Sequence, residues 1–231
     1  MLENSLLAAM PRQASRRMLS GLEPVTLAFG DVLYEPGQAI RDVYFPGASL
    51  VSLLTLADGH LALEVGLIGR EGMVGIPLIL GHSLSPVRAL VQGSGSALRM
   101  AAAPFRKELR RNPALQRELY RYTYTLMAQI SQTAACNRFH VVDQRLARWL
   151  LMTHDRMKSD RFHMTHEFLG HMLGVRRVGV TKAAQTLQAR DLISYSRGDI
   201  TVLDRKGLEA AACQCYEVVK DMHDGRQAGS A

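Results

Sequence analysis

The 231-residue chain contains only three cysteines, Cys136, Cys213 and Cys215, too few for a disulfide framework in a protein of this length. As metal ligands they fall short of the four nitrogen or sulfur donors of a zinc quartet, so no metal site is expected and the thiols are read as reduced side chains that pack. No apolar run approaches the roughly 20 residues needed to cross a bilayer. The N-terminal stretch is broken by Glu3, Pro11, Arg12, Arg16 and Arg17, so a cytoplasmic protein is expected. Internal repeats and low-complexity tracts are missing. There is also no Gly-rich phosphate loop and no nucleophile elbow, so no catalytic residue is assigned and no enzyme is expected. What is present is an ordinary balance of 47% hydrophobic and 21% charged residues, enough to bury a core in two domains or one large one.

The net charge of +7 is unevenly placed. Between Arg138 and Lys206 lie 13 basic and 7 acidic residues, against 15 and 14 in all the rest. A basic field confined to the C-terminal third favours a polyanion, because each phosphate neutralised by Lys or Arg releases a condensed counterion.

From residue 20 to 100 glycine and proline punctuate short apolar or alternating runs: Val25 to Phe29, Asp42 to Phe45, Leu50 to Leu56, Leu61 to Ile68 and Ala89 to Gln92. Runs of this length between turn formers predict an all-β region. After Pro104 the pattern becomes helical. Phe105 to Arg111 is a short helix, and Pro113 suits the first turn of a longer one. On that longer helix Leu115, Leu119, Tyr122, Leu126, Ile130, Thr133 and Asn137 recur at steps of four and three. The stripe either packs on the β region of its own chain or pairs with a second copy, with Leu119, Tyr122, Leu126 and Ile130 at the dimer interface.

Beyond Asp143 the helices are short. Gln144 to His154 carries Leu146, Trp149 and Leu150 on one face. Thr165 is the expected N-cap for Glu167 to Leu173, Gly174 breaks the chain, and a second helix runs from about Arg176 to Ala189. The runs Leu192 to Tyr195 and Ile200 to Leu203 then flank a turn over Ser196 to Asp199. Helix, glycine turn, helix and hairpin is the order of a winged helix-turn-helix. Phe168, Leu169, Met172 and Leu173 provide one buried face; Val175, Val180, Ala184 and Leu187 provide the other. The polar set Arg176, Arg177, Thr181, Lys182 and Gln185 suits base edges and phosphates, since arginine can donate two parallel hydrogen bonds to guanine O6 and N7. At the hairpin tip, Ser196 and Arg197 are placed to reach the DNA backbone.

These features together resemble the CRP/FNR superfamily of bacterial transcription regulators over nearly the whole chain. The residues that carry the resemblance are Gly30 with Tyr34 to Gly37, the segment Ile68 to Gly75, Val87 to Ala89, the helix of residues 113 to 137, and the helix-turn-helix followed by Leu192 to Val202. The resemblance implies an α+β fold with three parts: an N-terminal antiparallel β-roll of the cyclic-nucleotide-binding type with N-terminal helices over 1–104, a linker and dimerisation helix over 105–140, and a winged helix-turn-helix over 141–231. It implies double-stranded DNA, a second copy of the chain and RNA polymerase as partners.

In relatives that bind cyclic AMP, a glutamate holds the ribose and an arginine followed by Ser or Thr grips the phosphate. Aligned without a gap, the cassette glycine falls on Gly72, but the glutamate falls on Met73, the arginine on Ser83 and the Ser/Thr on Leu84. Arg88 lies near the end of the cassette strand instead. The effector pocket is therefore placed around Gly72, Met73, Ser83 and Arg88, and dependence on cyclic AMP or cyclic GMP is not expected, because a buried cyclic phosphate without a cation would cost several kcal/mol. An iron–sulfur sensor is not expected either, since no cysteine precedes Cys136. For haem sensing the candidate axial ligands are His60 and His82, and for redox sensing Cys136.

At the recognition helix, relatives commonly begin Arg-Glu with a further arginine one turn later. Here Arg177 matches the first arginine, Val178 replaces the glutamate and Lys182 replaces the later arginine, which implies a different half-site. The expectation is a homodimeric, sequence-specific regulator on an inverted-repeat operator. The alternative is a small-ligand sensor whose C-terminal domain contacts protein rather than DNA.

Overall fold

The computed structural model describes residues 3–11, 17–57, 61–157 and 159–223. The chain forms two compact units, Met1–Thr55 with Gly66–Met127, and Leu56–Val65 with Ala128–Ala231. This division differs from the expected boundaries at 104 and 140. It falls within the long helix, whose first part belongs to one unit and whose last part belongs to the other.

The N-terminal part holds β1 (Glu23–Leu27), β2 (Val32–Tyr34), β3 (Asp42–Pro46), β4 (Leu50–Ala57), β5 (Leu61–Ile68), β6 (Arg88–Gly93) and β7 (Gly95–Ala101). They form a sheet of order β1-β7-β3 and a second of order β2-β6-β4-β5. The pairings of β7 with β1 and β3, and of β6 with β2 and β4, are antiparallel, as expected for a β-roll. Side-chain alternation places Val43 and Phe45 of β3 in the core, opposite Met100 and Leu98 of β7. Helix α1 (Ser5–Ala8) is capped by Asn4, whose side-chain amide also donates to the Pro46 and Gly72 carbonyls at 2.9 Å.

Helix α2 (Ala102–Arg111) leads to α3 (Pro113–Phe139). The Asn112 side chain accepts the Leu115 N–H at 3.1 Å, and Pro113 fills the first position, where no N–H is required. Here the structure decides between the two readings of the apolar stripe. Leu115, Leu119, Tyr122 and Leu126 are buried within the single chain, and Tyr122 packs so closely on Gly72 that a Cβ there would stand 2.2 Å from its hydroxyl. The dimer-interface assignment of Leu119, Tyr122 and Leu126 is thus corrected: these side chains already fill their own chain's core, and Ile130 is half-buried. The face of α3 left open carries Tyr120, Tyr124 and Met127.

The C-terminal unit continues with α4 (Val142–Met157), β8 (Arg161–His163), α5 (His166–Leu173), α6 (Arg177–Gln188), β9 (Ile193–Ser196), β10 (Asp199–Val202), α7 (Arg205–Ala211) and α8 (Cys215–His223). Strands β8, β10 and β9 form a small antiparallel sheet with β10 in the centre. Leu146 and Leu150 of α4, Leu169 of α5, Val180 and Leu187 of α6, Ile200 of β10 and Leu208 of α7 are buried in this unit. Among the described residues no helix is long and apolar enough to cross a membrane.

Candidate nucleic-acid interface

The Thr165 hydroxyl accepts the Phe168 N–H at 3.1 Å and so caps α5, with Glu167 in the first turn. Gly174 ends the helix at φ 61°, returning its N–H to the Gly170 and His171 carbonyls. Gly170 permits the close turn between the helices, since a Cβ on it would stand 2.9 Å from the Val175 carbonyl oxygen. Helix α6 then buries Val180, Ala183, Ala184 and Leu187. Its opposite face presents Arg176, Arg177, Val178, Lys182 and Gln185 to solvent. Arg176 at the N-cap makes no side-chain cap hydrogen bond among the described residues, and its carbonyl accepts the Gly179 N–H at 2.8 Å.

Thr181 differs from its neighbours in the predicted set. It is half-buried, its hydroxyl 3.0 Å from His166 Nδ1 and donating to the Arg177 carbonyl at 3.1 Å. This is a contact that sets one helix against the other. His166 also meets Tyr195 edge to face, with ring centroids 4.5 Å apart. Tyr195 in turn donates its hydroxyl proton to the Met164 carbonyl and its N–H to Gln188 Oε1 at 2.6 Å. His166, Gln188 and Tyr195 were missed as positioning residues. The available signal was a histidine directly after the N-cap and a tyrosine alternating into the first wing strand.

The wing turns at Arg197 and Gly198, both with positive φ, 51° and 92°. A two-residue turn of this hand matches the twist of the flanking strands. Ser196 and Arg197 are exposed at the tip. Between α5, α6 and the wing runs a groove of about 540 Å³, lined by His166, Arg177, Gln185, Gln188, Tyr195 and Arg197 among others. Burial and then the Arg177 charge hold His166 below the usual histidine value, favouring the neutral ring. Burial pushes the Tyr195 hydroxyl up to about 12, with Arg177 opposing it.

Residues 144–211 match the sequence model of the Crp-like helix-turn-helix domain. This segment is a Crp-like helix-turn-helix domain. The likeness in fold extends over most of the chain. The c-di-GMP responsive global regulator CLP of Xanthomonas campestris is 14% identical, with a TM-score of 0.69 over 84% of this chain and 100% of that one. FixK2 of Bradyrhizobium japonicum is 13% identical, with 0.70 over 83% and 98%. A CRP/FNR-family transcriptional regulator of Thermus thermophilus is 21% identical, with 0.66 over 82% and 98%. The chain therefore has the CRP/FNR fold, with the Crp-like domain at its C-terminal end. A search of curated proteins finds no match.

In the N-terminal unit of this CRP/FNR fold, the residues assigned to an effector pocket are engaged separately. Met73 is fully buried in the core, and Gly72 is covered by Tyr122. Ser83 is exposed and accepts a hydrogen bond from Arg106 at 2.8 Å. The Arg88 guanidinium donates to Glu35 Oε2 at 2.8 Å as an ion pair. Packing, hydrogen bonding and ion pairing within the chain thus engage all four. Of the haem-ligand candidates, His82 is exposed and His60 lies outside the described residues.

Proposed function

We propose that this protein is a homodimeric, sequence-specific DNA-binding transcription regulator of the CRP/FNR type. The observation that carries the proposal is the outer face of α6: Arg176, Arg177, Val178, Lys182 and Gln185 stand exposed beside the wing tip of Ser196 and Arg197. A recognition helix laid in the major groove brings its N-terminal side chains to the base edges. Arg177 reads guanine, Val178 offers an apolar contact to a thymine methyl, and Lys182 and Arg197 meet phosphates. Thr181 acts through the hydroxyl that holds α6 against His166.

Two copies pair along the open face of α3. Tyr120, Tyr124 and Met127, continued by Ser131 and Ala134, repeat at steps of four and three, the spacing of a coiled-coil seam. The operator is an inverted repeat with half-sites about one helical turn apart. RNA polymerase is the further partner, and the protein works in the cytoplasm. Regulation is independent of cyclic AMP, a reading supported by the ungapped alignment, which puts Met73 and Ser83 at the ribose and phosphate positions, and by the pairing of Arg88 with Glu35.

Selection of bound duplexes from a random DNA pool, followed by gel-shift titration at two salt concentrations, tests this reading. The expected result is an inverted repeat whose affinity falls steeply with salt. Failure to retain any duplex at low salt, with the protein folded and dimeric, would return the reading to a domain that contacts protein.

A further inference from the structure

The fold brings together residues that the sequence scatters. Cys136 lies in the last turn of α3 and His140 directly follows that helix, while Cys213 lies in the link between α7 and α8 and Cys215 begins α8. Cys136 Sγ and Cys213 Sγ are 3.4 Å apart, and Cys215 Sγ is 3.5 Å from His140 Nδ1. All four ligand atoms lie within 4.8 Å of one another, in one unit of the chain. Cysteines alone fall one donor short of a zinc quartet, and His140 supplies the fourth.

We propose that Cys136, His140, Cys213 and Cys215 form a structural zinc site that ties the end of the long helix to the α7–α8 corner. Three thiolates and one imidazole are a donor set of closed, four-coordinate zinc sites. With zinc–sulfur and zinc–nitrogen bonds of about 2.3 and 2.05 Å, a tetrahedron places two sulfurs ~3.8 Å apart and a sulfur and a nitrogen ~3.5 Å apart. The observed separations are near both values. They suit a single ion, since the thiolates of an iron–sulfur cluster must stand apart by the width of the cluster.

The surroundings supply two independent arguments. Gln132 Nε2 donates to Cys215 Sγ at 3.0 Å, the kind of outer-shell hydrogen bond that orients a metal-bound thiolate. Arg145 and Arg148 of α4 are both buried in the same unit, and among the described residues the Nε of neither has a hydrogen-bond partner. Neither makes an ion pair with a carboxylate among the described residues. Buried cations require a counter-charge. Zinc(II) with three thiolates and a neutral imidazole carries one net negative charge, which offsets one of these two positive charges.

The test uses the full-length protein, purified under reducing conditions without chelator from zinc-supplemented culture. About one zinc per chain is expected by plasma mass spectrometry. Replacement by cobalt(II) should give the thiolate charge-transfer and intense d–d absorption of a tetrahedral sulfur-rich site. Cys213→Ser and His140→Ala should each lower zinc occupancy more than tenfold, and Gln132→Ala, which removes no ligand, should weaken zinc affinity by about tenfold. Should a ligand variant fail to fold, the cobalt spectrum of the unaltered chain decides. Three freely titrating thiols in a folded chain that takes up neither zinc nor cobalt would overturn the proposal. So would zinc retained undiminished in a folded Cys213→Ser protein.

Discussion

The Thr181 hydroxyl stands 3.0 Å from His166 Nδ1, a contact that joins the two helices of the C-terminal motif across fifteen positions of sequence. His166 is held below the ordinary histidine value by burial and by the charge of Arg177. A depressed histidine means that the unfolded chain takes up a proton first as the pH falls. The stabilising contribution is complete above the unfolded value near 6.5 and is lost as the pH drops through the folded one. Urea unfolding of wild type between about pH 7.5 and about pH 5.5 should show this decline, and His166→Gln should flatten it. An identical decline in both proteins would remove His166 from the account. Thr181→Val, measured in the same way, should cost about 1 kcal/mol.

Base reading and phosphate contact should separate in mutants of the recognition helix. Arg177→Ala is expected to weaken binding to the selected operator by about 1–3 kcal/mol and to relax preference at one base pair of each half-site. Lys182→Ala and Arg197→Ala should weaken all sequences alike and reduce the salt slope by about one unit each. Undiminished sequence preference in Arg177→Ala would reassign that residue to the backbone.

The cyclic-nucleotide prediction can be read without DNA. A ligand present at a hundred times its Kd would stabilise the folded chain by about 2.7 kcal/mol, a rise of several degrees in Tm. Millimolar cyclic AMP or cyclic GMP is expected to leave the melting curve unmoved. A clear upward shift that vanishes in Arg88→Ala would show that the Glu35 pair opens to admit a phosphate.

Helix α3 has two apolar stripes with different work, and two substitutions distinguish them. Tyr124→Glu with Met127→Glu, on the open face, should convert dimer to monomer in sedimentation while leaving the fold intact. Leu126→Ala, one position from Met127 but 4% exposed, should lower stability by about 2–5 kcal/mol. A dimer that survives the paired glutamates would place the seam elsewhere.

The winged motif could be read residue by residue because its signals are local. Thr165 caps the helix that it precedes, Gly174 supplies the left-handed residue, and the two-residue wing turn lies between alternating strands, within about two residues of the expected limits. The β region was legible as strands between turn formers, but β7 was not among the expected runs, although it pairs with both β1 and β3. Strand β8 was missed as well. Its three residues, Arg161–His163, carry too little pattern to announce a strand, and they extend only because β10 offers an edge. The effector residues were placed by resemblance alone, and Arg88 could not show beforehand that Glu35, 53 positions earlier, had taken its charge.

Short-range chemistry was therefore settled along the chain: caps, glycine turns, helical and strand periodicity, and the basic surplus that marks the C-terminal third. Packing had to settle the rest. It turned Leu119, Tyr122 and Leu126 inward rather than toward a second copy, and it brought Cys136 to Cys213 across 77 positions. A periodic stripe shows that a face will be buried without showing against what. The separation of distant thiols depends on how whole helices pack, which no local window contains.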